Sequence, residues 1–474
     1  SIEPVMPSQL SQKAERRHDV VVIGGGSAGY AAARTACDAG ADVAIVDQGP
    51  LGGLCILRGC MPTKTILRSA EIMALMKRAR EFGLAPVTAR ADLSAIVDRK
   101  NRLVQEFADY RIAALRDPRF TLYESRAEFT SPHEIGAGGL RIQAESFVIA
   151  TGSSVAEVAI PGLSEAGYVT SDEMLDIRRP PASLLVLGGG LVAVEFAQFF
   201  ARIGSKVTML QRGATLLSDM DQDVGEALAS AFQDEGIEVI TGVSFDRVTS
   251  SPTEKTVHFR KNAGAQIRSA EVIFHALGRR PNLNGLNVEA AGVKVIDGRL
   301  VVGADMRTSQ PHIFAVGDVN DLTPIVHLAI QQGETAAFNA THPDVAARVI
   351  DHRLDSEMVF TDPQVAIAGL SERQCREQSI PYLTASYPFA DHGKAMCLGA
   401  LAGFVKLLCR PDNGELIGAQ IVGPEAAELI HELIAVMYFH GTAQDLLRIP
   451  HYHPTLAEIV TYPAESIVEQ MGRV

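Results

Sequence analysis

Two strand–glycine–helix units in one chain, followed by a stretch of different pattern, mark this sequence as α/β, with two Rossmann-like dinucleotide-binding units and a carboxyl-terminal α+β region. In the first unit the β-branched run from Asp19 to Ile23 predicts a strand. Gly24 to Gly29 (GGGSAG) then turns directly into an Ala-rich stretch, Tyr30 to Ala39, whose pattern predicts a helix that Gly40 ends. A second strand from Asp42 to Val46 places Asp47 at its carboxyl end. The same order recurs downstream: a strand from Leu184 to Leu187, a turn from Gly188 to Gly190, a helix from Leu191 to Arg202, Gly204 as its stop, and a strand from Lys206 to Leu210. Two such units imply two nucleotide cofactors, or one cofactor and a structural duplicate.

Between the units, Glu71 to Arg80 and Leu93 to Leu115 have helical periodicity with mixed charge, as in helices that pack on a sheet. Apolar strands from Phe147 to Ala150 and from Ile313 to Val316 end at the polar turns Thr151-Gly152 and Gly317-Asp318. Pro180-Pro181 marks a linker, and the composition changes again near Asp351. Beyond it, strands near 404–408 and 416–422 precede a helix near 424–439, an α+β pattern. Residues 1–17 are polar, aperiodic and hold Pro4 and Pro7, so a flexible extension is expected, with folding from His18.

Length and composition bound the function. At 474 residues, 47% hydrophobic and 21% charged, the chain has the make-up of a globular protein of several domains. The 43 basic residues against 56 acidic ones give a net charge of −13, which speaks against a general nucleic-acid or anionic-membrane surface. No apolar run reaches the length of a membrane span, and a cytoplasmic location is expected. The six cysteines fit a reducing compartment. Cys37, Cys375, Cys397 and Cys409 are scattered and read as buried small apolar side chains.

The chemistry concentrates in four places. Gly24-x-Gly26-x-x-Gly29, with Ser27 and Ala28 inside the turn, lets a pyrophosphate approach backbone amides, and Asp47 stands where a carboxylate can accept from a ribose. The second turn, Gly188-x-Gly190-x-x-Ala193, leads to a strand ending in Gln211-Arg212 rather than an acid. Arg212 can pair with a 2′-phosphate, which favours NADPH over NADH, unless it is a solvated surface residue. Cys55 and Cys60 lie in GGLCILRGCMPTK (52–64), where two chemistries fit: a redox-active disulfide, or half a zinc site completed by His451 and His453, although H-x-H spacing suits zinc poorly. In HYHPTLAE (451–458), Glu458 follows His453 by five residues, so a carboxylate can orient an imidazole base. Only the company of the cysteine pair lifts His453 above a structural histidine, and His451 keeps the structural reading.

Together these residues resemble the flavin-dependent pyridine nucleotide–disulfide oxidoreductases, the group of dihydrolipoamide dehydrogenase, glutathione reductase and mercuric reductase. The resemblance runs from His18 to the end. It rests on GGGSAG, GGLCILRGCMPTK, the Ala150-Thr151-Gly152 turn, GGGLVAVE (188–195), LGRRPN (277–282), TSQPHIFAVGD (308–318) and HYHPTLAE. It implies an FAD-binding domain at 18–153 and 280–350, an NAD(P)-binding domain at 154–279 and a dimerisation domain at 351–474. It assigns FAD to the first turn with Asp47, Gly53, Ala127, Thr151, Gly152, Asp318 and His327. Gly188, Gly190, Arg212, Val243 and Gly278 would line the nicotinamide nucleotide site, and Lys64 and Glu195 match the pair beside the flavin ring.

By the same resemblance Cys55 exchanges with substrate, Cys60 contacts the flavin, and His453 with Glu458 serves as base from the other subunit of a homodimer. The implied activity is electron transfer between NAD(P)H, FAD, the Cys55–Cys60 disulfide and a small or protein-bound disulfide, lipoyl-like as first choice. A glutathione-type or metal-ion reductase is the alternative, and a docking component with little turnover is a third. Leu54, Leu57 and Arg58 depart from the family pattern; Arg58 can stabilise a thiolate, meet an acidic substrate or simply be solvated. GPEAAELIHE looks like dihydrolipoamide dehydrogenase, whereas the stretch from Glu195 through VTMLQR to EGIEV looks more like mercuric reductase. No cysteine pair stands at Met471-Gly-Arg-Val and no metal-binding segment precedes the first unit, from which the expectation is against mercury and, by the missing pair, against the large thioredoxin reductases.

Overall fold

The computed structural model describes residues 15–472 and forms two compact units. The first contains the residues up to Leu57 together with Gln105–Ser154 and Arg279–Ile350, and the second contains Arg58–Val104, Val155–Gly278 and the residues from Asp351 on.

In the first unit the strands Glu15–Ile23, Val43–Asp47, Phe120–Glu124 and Leu140–Ile149 run parallel, with Glu15–Ile23 central between Val43–Asp47 and Leu140–Ile149. Leu140–Ile149 shares its other edge: its start pairs antiparallel with Glu134–Ala137, and its end pairs parallel with Ile313–Ala315. Continuous apolar runs suit strands covered on both faces. Val21, Ile23, Ala44 and Val46 join a core with Phe129 and Phe147, while Val20, Val22, Val43 and Ile45 face the alanines of the helix Ser27–Asp38. Those small side chains let the helix Val326–Thr341 come close, and a Cβ at Gly333 would collide with the Ala28 carbonyl oxygen.

The second unit holds a parallel sheet ordered Glu238–Thr241, Lys206–Gln211, Ser183–Leu187, Val272–His275. The helix Leu191–Arg202 is hydrophobic nearly all round, and Phe196, Phe199 and Phe200 are wholly buried. The helix Cys60–Lys77 shares a core with it through Ile66 and Ala70. A five-stranded antiparallel sheet, Ser356–Val359, Gln364–Gly369, Leu416–Gly423, Phe404–Cys409 and Leu383–Pro388 in that order, packs against Ala426–Tyr438 and Thr461–Gln470 through Ile430, Leu433 and Ile467. Among the described residues no helix is long and apolar enough to cross a membrane.

Three sequence expectations are corrected. Folding does not begin at His18: Glu15–Arg17 extend the first strand and pair with Arg141–Gln143, because a parallel ladder needs only backbone groups and leaves their side chains in solvent. Residues 1–14 of the expected extension lie outside the described residues. The helix expected from Glu71 to Arg80 starts eleven residues earlier, at Cys60, and gives way to a 3₁₀ turn at Ala79–Phe82; the short-range pattern hid a helix that opens inside a glycine- and proline-flanked motif. Of the four cysteines expected to be buried, Cys397 is exposed on the six-residue helix Gly393–Leu398 and Cys37 is half-buried, whereas Cys375 and Cys409 are fully buried and burial pushes the Cys409 thiol up to about 12.

An ionic cluster built on the buried Lys406 and Asp221, with the more open Asp223 and Glu372 at its edge, ties the second unit together. Lys406 Nζ lies 3.1 Å from Asp221, 2.7 Å from Asp223 and 3.0 Å from Glu372, and Asp221 also accepts from Gln420 and from the amides of Glu372 and Arg373. Burial works against the charge of Asp221, but those donors outweigh it and hold its carboxyl below the ordinary range. Its contribution to stability is therefore present above that range and is lost as pH falls through the depressed value. Lys406→Met strands the carboxylates and should destabilise the protein by about 3–5 kcal/mol. A thermal melt unchanged from the parent would contradict this.

Candidate functional site

The first glycine turn is built by collision avoidance. Gly24 has φ +105°, and a Cβ there would meet the Ala150 carbonyl oxygen; a Cβ at Gly29 would meet the carbonyl oxygen of Gly24 itself. Only hydrogen at these positions lets the strand turn straight into the helix. Gly26 caps the helix Ser27–Asp38 without a side-chain hydrogen bond, so the opening amides remain available to an anion. Gly53 approaches Gly26 too closely to carry a Cβ. Asp47 accepts from Gly25 N at 2.6 Å and from Gly49 N at 2.7 Å, so its carboxylate holds the shape of the turn as well as standing beside it.

Other predicted residues of the first unit gather at the ends of its strands. Asp318 Oδ2 accepts from Ser153 Oγ at 2.6 Å, Arg279 donates to Ser153 Oγ at 2.8 Å, and Asn282 N donates to Gly152 O at 2.9 Å. Thr151 Oγ1 is buried with no hydrogen-bond partner among the described residues. Ala127 begins the strand Ala127–Ser131 and is buried, and His327 lies in the first turn of Val326–Thr341. Cys55 sits in the short helix Leu54–Leu57.

Sequence reasoning missed Arg111. Its guanidinium lies over the Tyr30 ring at 4.6 Å, its NH1 is buried without a hydrogen-bond partner among the described residues, and burial depresses its pKa. Nothing in one sequence separates it from the other charged residues of the helix Leu93–Leu115. A buried cationic nitrogen, an orphan threonine hydroxyl and an uncapped helix start form a donor set that fits a diphosphate-bearing cofactor such as FAD.

In the second unit Cys60 heads the helix Cys60–Lys77. One turn on, Lys64 Nζ donates to both oxygens of Glu195, at 2.9 and 3.0 Å, and Glu195 also accepts from Phe360 N at 2.9 Å. The carboxylate is nearly buried, and the ammonium, over the Phe360 ring at 4.7 Å, stays partly open. Arg58 forms an ion pair with Asp172 at 3.4 Å.

The second turn repeats the first. Gly188 has φ +122° and lies against the Ala276 carbonyl, and Gly190 begins Leu191–Arg202 with no side-chain cap. Gln211 is buried, its amide near Thr215 O and Ser218 Oγ, while Arg212 is exposed and makes no ion pair among the described residues. Gly278 has φ +116° with open space on its Cβ side, and Val243 is buried at the start of Val243–Ser250.

His453 Nδ1 lies 3.0 and 3.1 Å from the two oxygens of Glu458, and 79% of the imidazole side chain is exposed. The arrangement steadies one ring nitrogen and leaves Nε2 to take up or release a proton. His451 differs: its ring nitrogens engage Glu432 at 2.7 Å and Ile449 O at 2.8 Å.

Residues 18–333 match the model of the pyridine nucleotide-disulphide oxidoreductases, and residues 356–464 match the dimerisation domain of that name. Relatives include a mercuric reductase of Staphylococcus aureus, 33% identical over 96% of this chain and 84% of its own length, and a dihydrolipoyl dehydrogenase of Bacillus subtilis, 32% identical over 93% and 96%. Among solved structures, the HOCl-induced flavoprotein disulfide reductase RclA from Escherichia coli superposes with a TM-score of 0.83 at 26% identity, covering 94% of this chain and 99% of that one.

The glycine geometry makes its own prediction. Gly29→Ala places a methyl group on the Gly24 carbonyl and should destabilise the protein by about 1–3 kcal/mol, read from denaturant melts. Full stability in that variant would mean the turn can open without penalty.

Proposed function

The chain belongs to the pyridine nucleotide-disulphide oxidoreductase family, and on that premise we propose that it is a cytoplasmic, homodimeric NADPH:disulfide oxidoreductase acting on a lipoyl-like disulfide, small or protein-bound. The observation that carries the reading is the His453–Glu458 pair at 3.0 Å in a chain that also keeps Cys55 and Cys60 in the family's motif. The family implies FAD, whose chemistry is to relay electrons between a nicotinamide and the cysteine pair. Residues 18–153 and 280–350 would hold it and 154–279 the nicotinamide nucleotide, with 351–474 as the dimer interface. The exposed ring of His453 and the exposed Tyr438, Phe439 and Tyr452 support a partner covering this region.

In the reductive direction the Cys55 thiolate attacks one sulfur of the substrate disulfide and expels a thiolate, which His453 protonates. The Cys60 thiolate then attacks Cys55 in the mixed disulfide, releasing the second thiolate and closing the Cys55–Cys60 bond. Glu458 keeps Nδ1 of His453 occupied, so that Nε2 is the nitrogen that exchanges the proton. Lys64, held by the buried Glu195, places a positive charge one helical turn beyond Cys60, where it would favour a reduced flavin.

Gln211 supports NADPH over NADH, because an amide turned toward Thr215 and Ser218 offers a ribose no carboxylate, while Arg212 stands exposed beside it. Metal-ion reduction is the second reading, favoured by the 33% identity to a mercuric reductase. The test is oxidation of NADPH and NADH by the purified flavoprotein with lipoamide, glutathione disulfide and thiol-complexed Hg(II) in parallel. Turnover of lipoamide supports the first reading, and turnover of Hg(II) alone the second.

Three substitutions follow from the assigned roles. Cys55→Ser should abolish disulfide turnover while flavin remains bound and reducible by nucleotide. His453→Gln should slow thiol–disulfide exchange by about 10²–10⁴-fold and leave flavin reduction near normal. Arg212→Glu should lower the NADPH/NADH ratio of kcat/KM; an unchanged ratio would assign the phosphate to another group.

A further inference from the structure

The base pair His453–Glu458 has a third neighbour that the sequence did not single out. His392 caps the helix Gly393–Leu398, yet its ring makes no cap hydrogen bond and turns inward, where none of its side chain is exposed. Phe389 and Tyr462 stand edge-on to it, with ring centroids 6.5 and 6.2 Å away. Neither ring nitrogen has a hydrogen-bond partner among the described residues. Its Nε2 lies 3.6 Å from Glu458 Oε1, just beyond hydrogen-bond length. The same carboxylate, 14% exposed, holds the exposed ring of His453.

A buried polar ring without partners is costly, and a histidine in such a place needs a reason. Burial disfavours its charged form, so His392 carries one ring proton. On Nδ1 that proton would meet no acceptor; on Nε2 it faces a carboxylate, and a small rotation of either side chain completes the bond. We propose that His392 is a positioning residue: it donates Nε2–H to Glu458 and thereby fixes the carboxylate against Nδ1 of His453. One carboxylate then accepts from two imidazoles, a buried one that anchors it and an exposed one that does the chemistry. Without the anchor Glu458 keeps a single partner, on a ring that is itself largely in water.

The inference rests on His453 being the base, and the experiment separates the two. The probe is iodoacetamide, and the readout is the alkylation rate of Cys55 in the dithionite-reduced holoenzyme, followed by mass spectrometry so that the exposed Cys397 is scored apart. His392→Phe, which keeps the bulk and loses the donor, should slow alkylation about tenfold, within the range of coupling between contacting side chains. His392→Gln, whose amide restores a donor near the same place, should recover most of the rate. In a Glu458→Gln background His392→Phe should add nothing. Equal slowing by Phe and Gln, or an undiminished effect in the Glu458→Gln background, would show a packing role and overturn the proposal. Slow alkylation in His453→Gln beside a normal rate in His392→Phe sinks this inference alone; a normal rate in His453→Gln sinks the reading beneath it and the inference together.

Discussion

A carbonyl oxygen standing where a Cβ would otherwise be is the constraint on which both units turn. Ala150 supplies it at Gly24 and Ala276 at Gly188. In each case the strand must deliver the chain into a helix without a spacer, and only glycine allows the two backbones so close. The helix start that results has no side-chain cap and points its amides outward. Parallel strands, buried alanines and the close helix pair in the first unit all depend on keeping that crossover tight. The same local rule is used twice in one chain, once in each unit.

Much of this was legible because periodicity and glycine spacing are local. The helices Leu191–Arg202 and Leu93–Leu115 begin and end where the pattern placed them, and the strands of both glycine units fall within a residue or two apart from the early start at Glu15. Strand edges escaped the pattern: Glu15–Arg17 are polar and exposed, and only their backbone pairing makes them strand. The start of the helix at Cys60 escaped the pattern as well, because the glycine-flanked cysteine motif shows no helical period, although Pro62 fits the first turn of a helix.

The site divides along the same line. Glycines, cysteines and the His453–Glu458 spacing carry their chemistry in their residue types. Arg111, Phe360 and His392 do not: a guanidinium in a charged helix, a backbone amide and a histidine beside Asp391 acquire meaning only when burial strips away their partners or presents them to a carboxylate. Glu195 lies between these cases. Its place in GGGLVAVE was readable, but that it is nearly buried and satisfied by Lys64 and the Phe360 amide together is a tertiary fact.

The Lys406 cluster bears on how the second unit responds to heat. Gathering an ammonium and buried carboxylate oxygens requires their dehydration, and the hydration free energy of ions becomes less favourable as temperature rises, whereas the gain per unit of apolar area levels off. The cluster therefore contributes relatively more to holding the Asp221 loop on the antiparallel sheet in warm conditions than in cold ones. On cooling, the cost of keeping those ions out of water rises again at that junction.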